Sequence, residues 1–363
     1  MKRFVIRIEI MGVSQKEKFF FVEHLSLMIK GGIPISEAIE TLRDEAKSRT
    51  FRKILSDISR RTLEGGSLEK SFGKYPRVFD RFFLSVVKIG ETSGTLDTNL
   101  KYLALQLRKD YELRKKIIGA LLYPSLVIIL ATMVILGTIF WVLPKIIPVF
   151  QNLQALGIAG ELPLATKILL NLNIFLTKYW FLIPIILILS FSVFKILQKI
   201  RFIRFYFDKM VLLLPVLGGI FRNINLARFS WSFYTLLKSG MPILEVLEIC
   251  SDISPSEVYR RNLISVKSEV ERGEKVSFGL KKISKNFPPI FSEMILVGEK
   301  TGSLEESSLY LAQFYSQETD SAIQNISDLI GPILLIFIGI FVILIALSTI
   351  VPIYQFIGEI RVR

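Results

Sequence analysis

The sequence has almost no cysteine or histidine, and this scarcity excludes several kinds of site. One cysteine, Cys250, cannot form an intramolecular disulfide, which fits a chain whose soluble parts face the cytosol. One histidine, His24, excludes metal motifs that need two. His24 follows an apolar helical pattern with Leu25 and Met28, so it is interpreted as a core or boundary residue rather than a ligand or base. Residues 1–12 lack the long apolar core of a signal peptide.

Three segments have almost no charge, and each is interpreted as a membrane span. Residues 120–143 hold no Asp, Glu, Lys, Arg or His, and a helix of that length reaches about 36 Å. Residues 329–351 are equally uncharged. The middle segment has sixteen uncharged residues between Lys178 and Lys195, whose side chains can snorkel. A hydrophobic content of 51% and a mean hydropathy of +0.48 agree with a membrane protein.

The formal net charge of +14 is concentrated beside the predicted spans. By the positive-inside rule, the N-terminal and central regions are cytoplasmic and the C-terminal tail is outside. The acidic residues before the third span and the basic tail favour the opposite orientation for that helix alone. No nucleic-acid-binding module accompanies the basic clusters, so anionic lipids are the expected partner and nucleic acid is not. The clusters are Arg108, Lys109, Arg114, Lys115 and Lys116 before the first span, and Lys195, Lys199, Arg201, Arg204 and Lys209 after the second.

The sequence repeats itself at an offset of 208 residues. Gly90-Glu91-Thr92-Ser93-Gly94-Thr95-Leu96 returns as Gly298-Glu299-Lys300-Thr301-Gly302-Ser303-Leu304. Because the same offset relates pairs along most of the chain, it predicts a duplicated module in which each copy has a soluble half and a membrane half. We expect both copies to insert into the membrane in the same orientation. Other matching pairs are Gly32 and Gly240, Pro34 and Pro242, Gly65 and Gly273, Phe79 and Phe287, Phe83 and Phe291, Pro124 and Pro332, and Pro144 and Pro352.

Each soluble half is predicted to be entirely helical. Leucines at 96, 100, 103 and 107 follow the spacing of one helix face, and sustained period-two alternation with hairpin turns is absent. No helix breaker separates Thr95 from Pro124, so one helix is expected to continue from the soluble bundle into the first span. Pro124 and Pro332 would either kink both spans or be tolerated near their ends. Pro34 and Pro242 are expected to start the helices that follow them.

The strongest motifs are Gly90–Gly94 and Gly298–Gly302, called here the glycine–glutamate turns. We interpret them as turns in which the first glycine ends a helix, Thr or Ser caps the next, and the second glycine permits a tight turn. The alternative is a weak cation or basic-partner site that uses Glu91 with Asp97, or Glu299 with Glu305. Glu37 is a further weak candidate. Two carboxylates rarely complete a six-oxygen shell, so no metal, cofactor or catalytic residue is predicted.

These features resemble the platform proteins of type II secretion and type IV pilus assembly (the GspF/PilC-like family). The resemblance rests on Gly32-Ile33-Pro34-Ile35, Tyr75-Pro76-Arg77-Val78-Phe79, the glycine–glutamate turns and the duplication with a span after each copy. It implies an all-α, non-enzymatic scaffold in the bacterial inner membrane, with two cytoplasmic six-helix bundles and three transmembrane helices. Its implied partners are a hexameric secretion or pilus ATPase, pilin or pseudopilin subunits, other inner-membrane assembly proteins and further copies of the chain.

The chain departs from the family in two places. Only about fifteen residues precede the first bundle, so a partner contact made there is in doubt. Asp80-Arg81 stands where the second copy has the family-like pair Pro288-Pro289, so the two bundles are expected to present different surfaces.

Two other functions are alternatives to a scaffold. A transporter also uses internal repeats, but its spans should hold ionisable residues, and these hold none between their flanking lysines. A membrane-bound enzyme would need a catalytic partner for Cys250 or a serine, and none is recognisable.

The predicted order of segments along the chain is a short N-terminal segment (1–15), first bundle (16–117), span (118–143), extracytoplasmic loop (144–177), span (178–197), second bundle (198–328), span (329–352) and extracytoplasmic tail (353–363).

Overall fold

A computed structural model describes residues 13–142, 144–145, 148, 175, 178–179, 181–197 and 200–362. Within these ranges all regular structure is helical, and the predicted all-α class is confirmed. The chain divides into two compact units. The soluble unit combines the chain up to Ile117 with Arg201–Ala322, and the apolar unit combines Ile118–Ile200 with Ile323–Arg363.

The first bundle contains five helices and the beginning of a sixth. Phe72, Phe79 and Phe83 are fully buried at its centre. The centroid of the Phe79 ring lies 4.6 Å from that of the Phe72 ring and 4.6 Å from that of the Phe83 ring. The predicted leucine face of the sixth helix is confirmed, since Leu96, Leu100 and Leu103 are buried. The helices are α1 (Gln15–Lys30), α2 (Ile35–Glu45), α3 (Arg49–Leu63), α4 (Leu68–Gly73), α5 (Arg81–Ser93) and α6 (Leu96–Gly137).

The second bundle repeats this architecture. Phe287 and Phe291 take the positions of Phe79 and Phe83, with ring centroids 5.3 Å apart, and Tyr259 packs against Phe287. The helices are α9 (Leu217–Lys238), α10 (Ile243–Ile253), α11 (Glu257–Glu271), α12 (Val276–Lys282), α13 (Pro289–Thr301) and α14 (Leu304–Val362). Helices α10, α11 and α13 begin and end 208 residues after α2, α3 and α5, and α14 begins 208 residues after α6. The duplication read from the sequence is therefore also a duplication of helix boundaries.

The two bundles cap the starts of their helices by different means. In the first, Ser14, Ser48, Ser67 and Asp80 each accept a backbone N–H at the start of the following helix. In the second, none of the described N-cap residues makes such a bond. The start of α11 is instead capped from a distance, because the carboxylate of Asp208 accepts the Glu257 N–H at 2.7 Å.

Asp208 belongs to α8 (Arg201–Leu213), a helix that the sequence analysis did not separate from the second bundle. Helix α8 packs against α9 and α11 and meets α9 at a bend of 115°. The second bundle thus carries one helix more than the first has among its described residues.

The apolar unit contains the membrane-directed parts of the chain. Helices α6 and α14, the latter over Leu304–Ile340, are long and apolar enough to cross a membrane. Helix α6 is continuous through Pro124, as expected for a helix that runs from the bundle into the first span. The predicted second span contains α7 (Leu182–Leu197), described over 16 residues, and its full extent stays a prediction because residue 180 lies outside the described part.

Candidate functional site: the glycine–glutamate turns and the contact between the bundles

The second glycine of each glycine–glutamate turn ends a helix. Gly94 has φ 70° and Gly302 has φ 71°, the left-handed region in which glycine has no steric penalty. The Gly94 N–H donates to the Gly90 carbonyl, and the Gly302 N–H donates to the Gly298 carbonyl. Each turn therefore links a short helix to the long helix that continues into a predicted span.

The first glycine of each turn allows two helices to touch, and it lies inside its helix rather than at the end. A Cβ on Gly90 would sit 2.9 Å from the Leu96 Cα and 3.1 Å from the Asn99 Cβ. On Gly298 it would sit 2.7 Å from the Ser307 Oγ. These distances are shorter than van der Waals contact, so the two glycines set how closely α5 approaches α6 and α13 approaches α14.

The glutamate of each turn caps a neighbouring helix. Glu91 Oε1 accepts the Leu68 N–H at 2.8 Å, and Oε2 accepts the Glu69 N–H at 3.3 Å. In the second copy, Glu299 Oε1 accepts the Val276 N–H at 2.7 Å, and its other oxygen accepts the Ser277 hydroxyl. A carboxylate at a helix N-terminus satisfies exposed N–H groups and opposes the positive end of the helix dipole. Both carboxylates thus hold α4 and α12 in place.

The other residues singled out from the sequence lie apart from these caps. Asp97 is in the first turn of α6, where its backbone carbonyl accepts the Ser26 hydroxyl at 2.9 Å. Glu37 is exposed in the first turn of α2. His24 lies 3.8 Å from the Glu45 carboxylate at the surface of the first bundle. Across the described ranges, no group of three or more His, Cys, Asp or Glu is placed to hold a metal ion.

The repeat prolines occupy equivalent places in the two copies. Pro34 and Pro242 directly precede α2 and α10, with φ −54° and −59°. Pro124 lies inside α6, and Pro332 lies inside α14. The paired prolines therefore mark the same structural positions in both modules.

The bundles contact each other through an arginine that only the first copy has. Arg81, the first residue of α5, donates to Glu248 at 2.6 Å and also to Asp252, both on α10. Glu248 also accepts from Lys267 at 2.8 Å. Hydrogen bonds from Lys267 and then Arg81 lower the pKa of Glu248 to about 2. We call Arg81, Glu248 and Asp252 the inter-bundle clasp.

The equivalent acidic pair of the first bundle is used differently. Glu40 and Asp44 occupy the repeat positions of Glu248 and Asp252, and both bind Arg43 on their own helix, at 3.1 and 2.9 Å. The second copy has Ser251 in place of Arg43 and Pro289 in place of Arg81. The expectation that the bundles present different surfaces is therefore supported by these contacts.

A second set of contacts joins the bundles along α6. Gln106 Nε2 donates to the Ser232 hydroxyl at 3.4 Å in the buried part of the contact. The Arg228 guanidinium lies 3.4 Å from Asp110. Lys116 pairs with Asp320, close to the points where α6 and α14 pass from the soluble unit to the apolar unit. Both bundles consequently form one body with a shared core.

Sequence reasoning missed the capping role of the glutamates and the partners of Arg81. Glu91 and Leu68 are separated by 23 residues, and Arg81 and Glu248 by 167. The sequence signal for the clasp was the departure from the repeat at Arg81, which marked the right residue without showing its partner.

Together these features define a class of membrane protein built from twin helical bundles, whose distinctive residues make structural contacts. A sequence model described as "Type II secretion system (T2SS), protein F" matches residues 21–144 and again 229–352. The chain belongs to the type II secretion system protein F family.

Curated relatives match nearly the whole chain. A type IV pilus assembly protein PilC from Thermus thermophilus is 31% identical over 97% of this chain and 85% of the relative. A protein of the same name from Pseudomonas aeruginosa is 28% identical over 96% and 93%. A type II secretion system protein F from Vibrio cholerae is 27% identical over 95% and 83%. The resemblance found from the motifs is thereby confirmed.

At the two glycines of a turn, substitution by Ala and by Asn should lower the stability in opposite order. At Gly94, Asn should cost less than Ala, because Asn tolerates the left-handed region and Ala loses about 1–2 kcal/mol there. At Gly90, Asn should cost more than Ala, because added volume meets the backbone of α6 and overpacking costs about 1–3 kcal/mol. Thermal unfolding of the full chain in detergent measures both. The same order at both positions would show that packing at Gly90 is not limiting.

Removal of the glutamate cap should destabilise the bundle that contains it. Glu91→Ala and Glu299→Ala should each lower the free energy of unfolding by about 1.5–3 kcal/mol, since each leaves backbone N–H groups without a charged acceptor. Glu91→Gln keeps an acceptor and should cost less. Glu37→Ala, at an exposed glutamate of another helix start, is the matched control and should stay within about 0.5 kcal/mol of wild type. An effect of Glu91→Ala no larger than that control would contradict the capping role.

The inter-bundle clasp should be measurable as a pH-dependent coupling energy. Because folding lowers the pKa of Glu248, its contribution is present above the ordinary carboxyl range and is lost as pH falls from there toward about 2. A double-mutant cycle of Arg81→Ala and Glu248→Gln should give about 0.2–1 kcal/mol at neutral pH, the range for solvent-exposed pairs, and almost nothing near pH 2. The cycle of Arg81→Ala with Glu40→Gln is the control, and equal coupling there would exclude a specific clasp.

Proposed function

We propose that this protein is the inner-membrane platform of a type II secretion or type IV pilus assembly machine. In this role it couples a cytoplasmic secretion or extension ATPase to the assembly of pilin or pseudopilin subunits. Family membership and relatives named as pilus assembly and secretion proteins support the proposal. The comparisons do not favour the transporter alternative.

The observation that carries the proposal is a helix shared between each bundle and a predicted span. The first part of α6 supplies Leu96, Leu100 and Leu103 to the core of the first bundle. The same helix continues without a break to Gly137, through apolar residues that are exposed, such as Leu122 and Met133. An unbroken α-helix transmits displacement and rotation along its axis, so motion of a bundle would reach the bilayer. Helix α14 repeats the arrangement in the second copy.

The proposed topology has the N-terminal region and both bundles in the cytoplasm. Both bundles belong to one compact unit, which supports their placement on the same side of the membrane. An even number of crossings by residues 118–200, which belong to the other unit, would return the chain to the same side, as the proposed topology requires. Two crossings, by α6 and by the segment that contains α7, fulfil this requirement and agree with the basic clusters at both ends. The third crossing, by α14, then leaves the C-terminal tail outside.

The proposed partners follow from this topology. The bundles face the cytoplasm and are the surfaces available to a hexameric ATPase, while the spans are available to pilin-type subunits and other inner-membrane assembly proteins. Anionic lipids fit the basic residues at the membrane ends, and a platform beneath a hexameric motor suggests a symmetric homo-oligomer.

The proposal assigns no chemical step to the chain. Cys250 is buried, and burial raises the pKa of its thiol, so little reactive thiolate forms at neutral pH. The glutamates of the turns are engaged as helix caps. Mechanical coupling requires neither a nucleophile nor a metal.

The experiment that tests the proposal interrupts the shared helix. Seven residues inserted between Gly119 and Ala120 add about two helical turns. An alanine insertion preserves the helix and should retain pilus assembly or secretion, whereas an insertion of glycine and serine should abolish it. Both variants should co-purify with the ATPase of the same cell, since the soluble unit is unchanged. Assembly restored equally by both insertions would contradict mechanical coupling.

Loss of the whole protein provides the broader test. Deletion should abolish filament assembly or secretion while the ATPase still hydrolyses ATP. Solute uptake by the purified protein reconstituted in vesicles would instead support a transporter.

A further inference from the structure

Helix α8 is fixed to the second bundle along one face. Asp208 accepts the Glu257 N–H at 2.7 Å, and Arg204 donates to the Pro255 carbonyl. Phe205 lies under the Arg261 guanidinium, which is 4.2 Å from its ring centroid. These contacts fix the rotation of α8 about its own axis, and with it the direction of the opposite face.

The opposite face of α8 is apolar and exposed. Phe202, Tyr206, Met210 and Leu213 follow one another at helical spacing, and each is 55% to 65% exposed. The rings of Phe202 and Tyr206 pack edge to face with centroids 4.9 Å apart. Four large apolar side chains in a row on the surface of a soluble unit indicate a surface that is covered in the working protein.

The turn after α8 extends this apolar surface. Leu214, Val216 and Leu217 are all exposed, between 42% and 61%. Val216 has φ 67°, a costly conformation for a β-branched residue, and Gly218 lies so close to α8 that a Cβ there would be 2.4 Å from the Leu212 carbonyl oxygen. The turn between α8 and α9 is thus sharp and strained in its backbone, and its exposed side chains are apolar.

The charges on α8 favour an anionic surface as the neighbour of this face. Arg201 and Lys209 are exposed, while the acidic residue of the helix, Asp208, is buried. Lys209 lies within the exposed apolar face, where its aliphatic stem can remain among apolar groups while its ammonium reaches phosphates. Aromatic side chains beside lysine and arginine are typical of the headgroup region of a membrane.

The chain also brings α8 close to the bilayer. Helix α7 of the predicted second span ends at Leu197, and α8 begins at Arg201. Four residues of fully extended chain reach about 14 Å, so the beginning of α8 lies within that distance of the end of the predicted span. A lipid surface is therefore the neighbour that the connectivity supplies.

We propose that α8 and the turn to Leu217 form an interfacial element that lies in the lipid headgroup region, on the side of the membrane that faces the soluble unit. The apolar face of α8 would insert among lipid chains, and Arg201 and Lys209 would bind lipid phosphates. The element would hold the second bundle against the membrane independently of its spans. This inference does not depend on the proposed coupling to an ATPase.

The residues of α9 do not fit the alternative in which α8 and α9 together form one broken membrane span. The middle of α9 is buried inside the second bundle, where Phe233 and Leu236 belong to the core. Burial of these residues against other helices of the bundle leaves no lipid-facing surface there, so only α8 and the turn remain available to the bilayer.

The experiment measures what touches the exposed face. The full chain carrying Tyr206→Cys or Met210→Cys is labelled with a nitroxide and reconstituted in vesicles of phosphatidylcholine and phosphatidylglycerol. Collision rates with oxygen, which concentrates in lipid, and with a water-soluble nickel chelate are then compared. Ile264→Cys and Phe278→Cys are the matched controls, since both residues are apolar and exposed on the second bundle. Wild-type protein gives the background from the buried Cys250.

Contact with lipid predicts a ratio of oxygen to nickel collisions several-fold higher at residues 206 and 210 than at the controls. A ratio equal to that of the controls, with high nickel access, would mean that the face is in water and would overturn the proposal. Low access to both reagents would mean that protein covers the face, which would also overturn it. If either α8 variant fails to fold by circular dichroism, Phe202→Cys and Leu213→Cys report on the same face.

Discussion

In each repeat, a single helix belongs at one end to the core of a soluble bundle and at the other to a predicted membrane span. Its first part contributes leucines from one face to a soluble core, and its later part is apolar all round. The rest of each bundle is arranged around this helix: Gly90 lets α5 approach it closely, Gly94 turns the chain into it, and Glu91 fastens the short helix beside α5. The second copy has the same three features, at Gly298, Gly302 and Glu299, around the helix that continues into its predicted span.

The contact between the copies is asymmetric although the copies are alike. In the second bundle, the acidic pair Glu248 and Asp252 binds across to Arg81, whereas the equivalent pair in the first bundle is held by Arg43 on its own helix. The copies differ at the positions of Arg81 and Arg43, and also at Lys267, which holds Glu248 and has Ser59 as its counterpart in the first copy. The two bundles therefore share one core but hold their equivalent acidic pairs in different ways.

The fold was predictable from the sequence to the extent that it depends on local pattern. Helix spacing, breakers and the fixed repeat offset predicted the all-α class, the two bundles and a helix that continues from the first bundle into the first span, while the effect of Pro124 on that helix was left open. The capping role of Glu91 was not predictable, because it depends on which helix start the folded chain brings near. Helix α8 was missed for a related reason: the face that joins the bundle is defined by contacts with distant residues, those of Asp208, Arg204 and Phe205.

The close approach of α5 to α6 at Gly90 affects the position of the far end of α6. Helix α6 is 42 residues long and so extends about 63 Å from the point where α5 touches it. Tilting such a lever by about five degrees at that point would move its far end by about 5 Å, close to the rise of one helical turn. A tilt of that size at the contact between α5 and α6 would thus be magnified into a displacement of about one helical turn at the far end of α6.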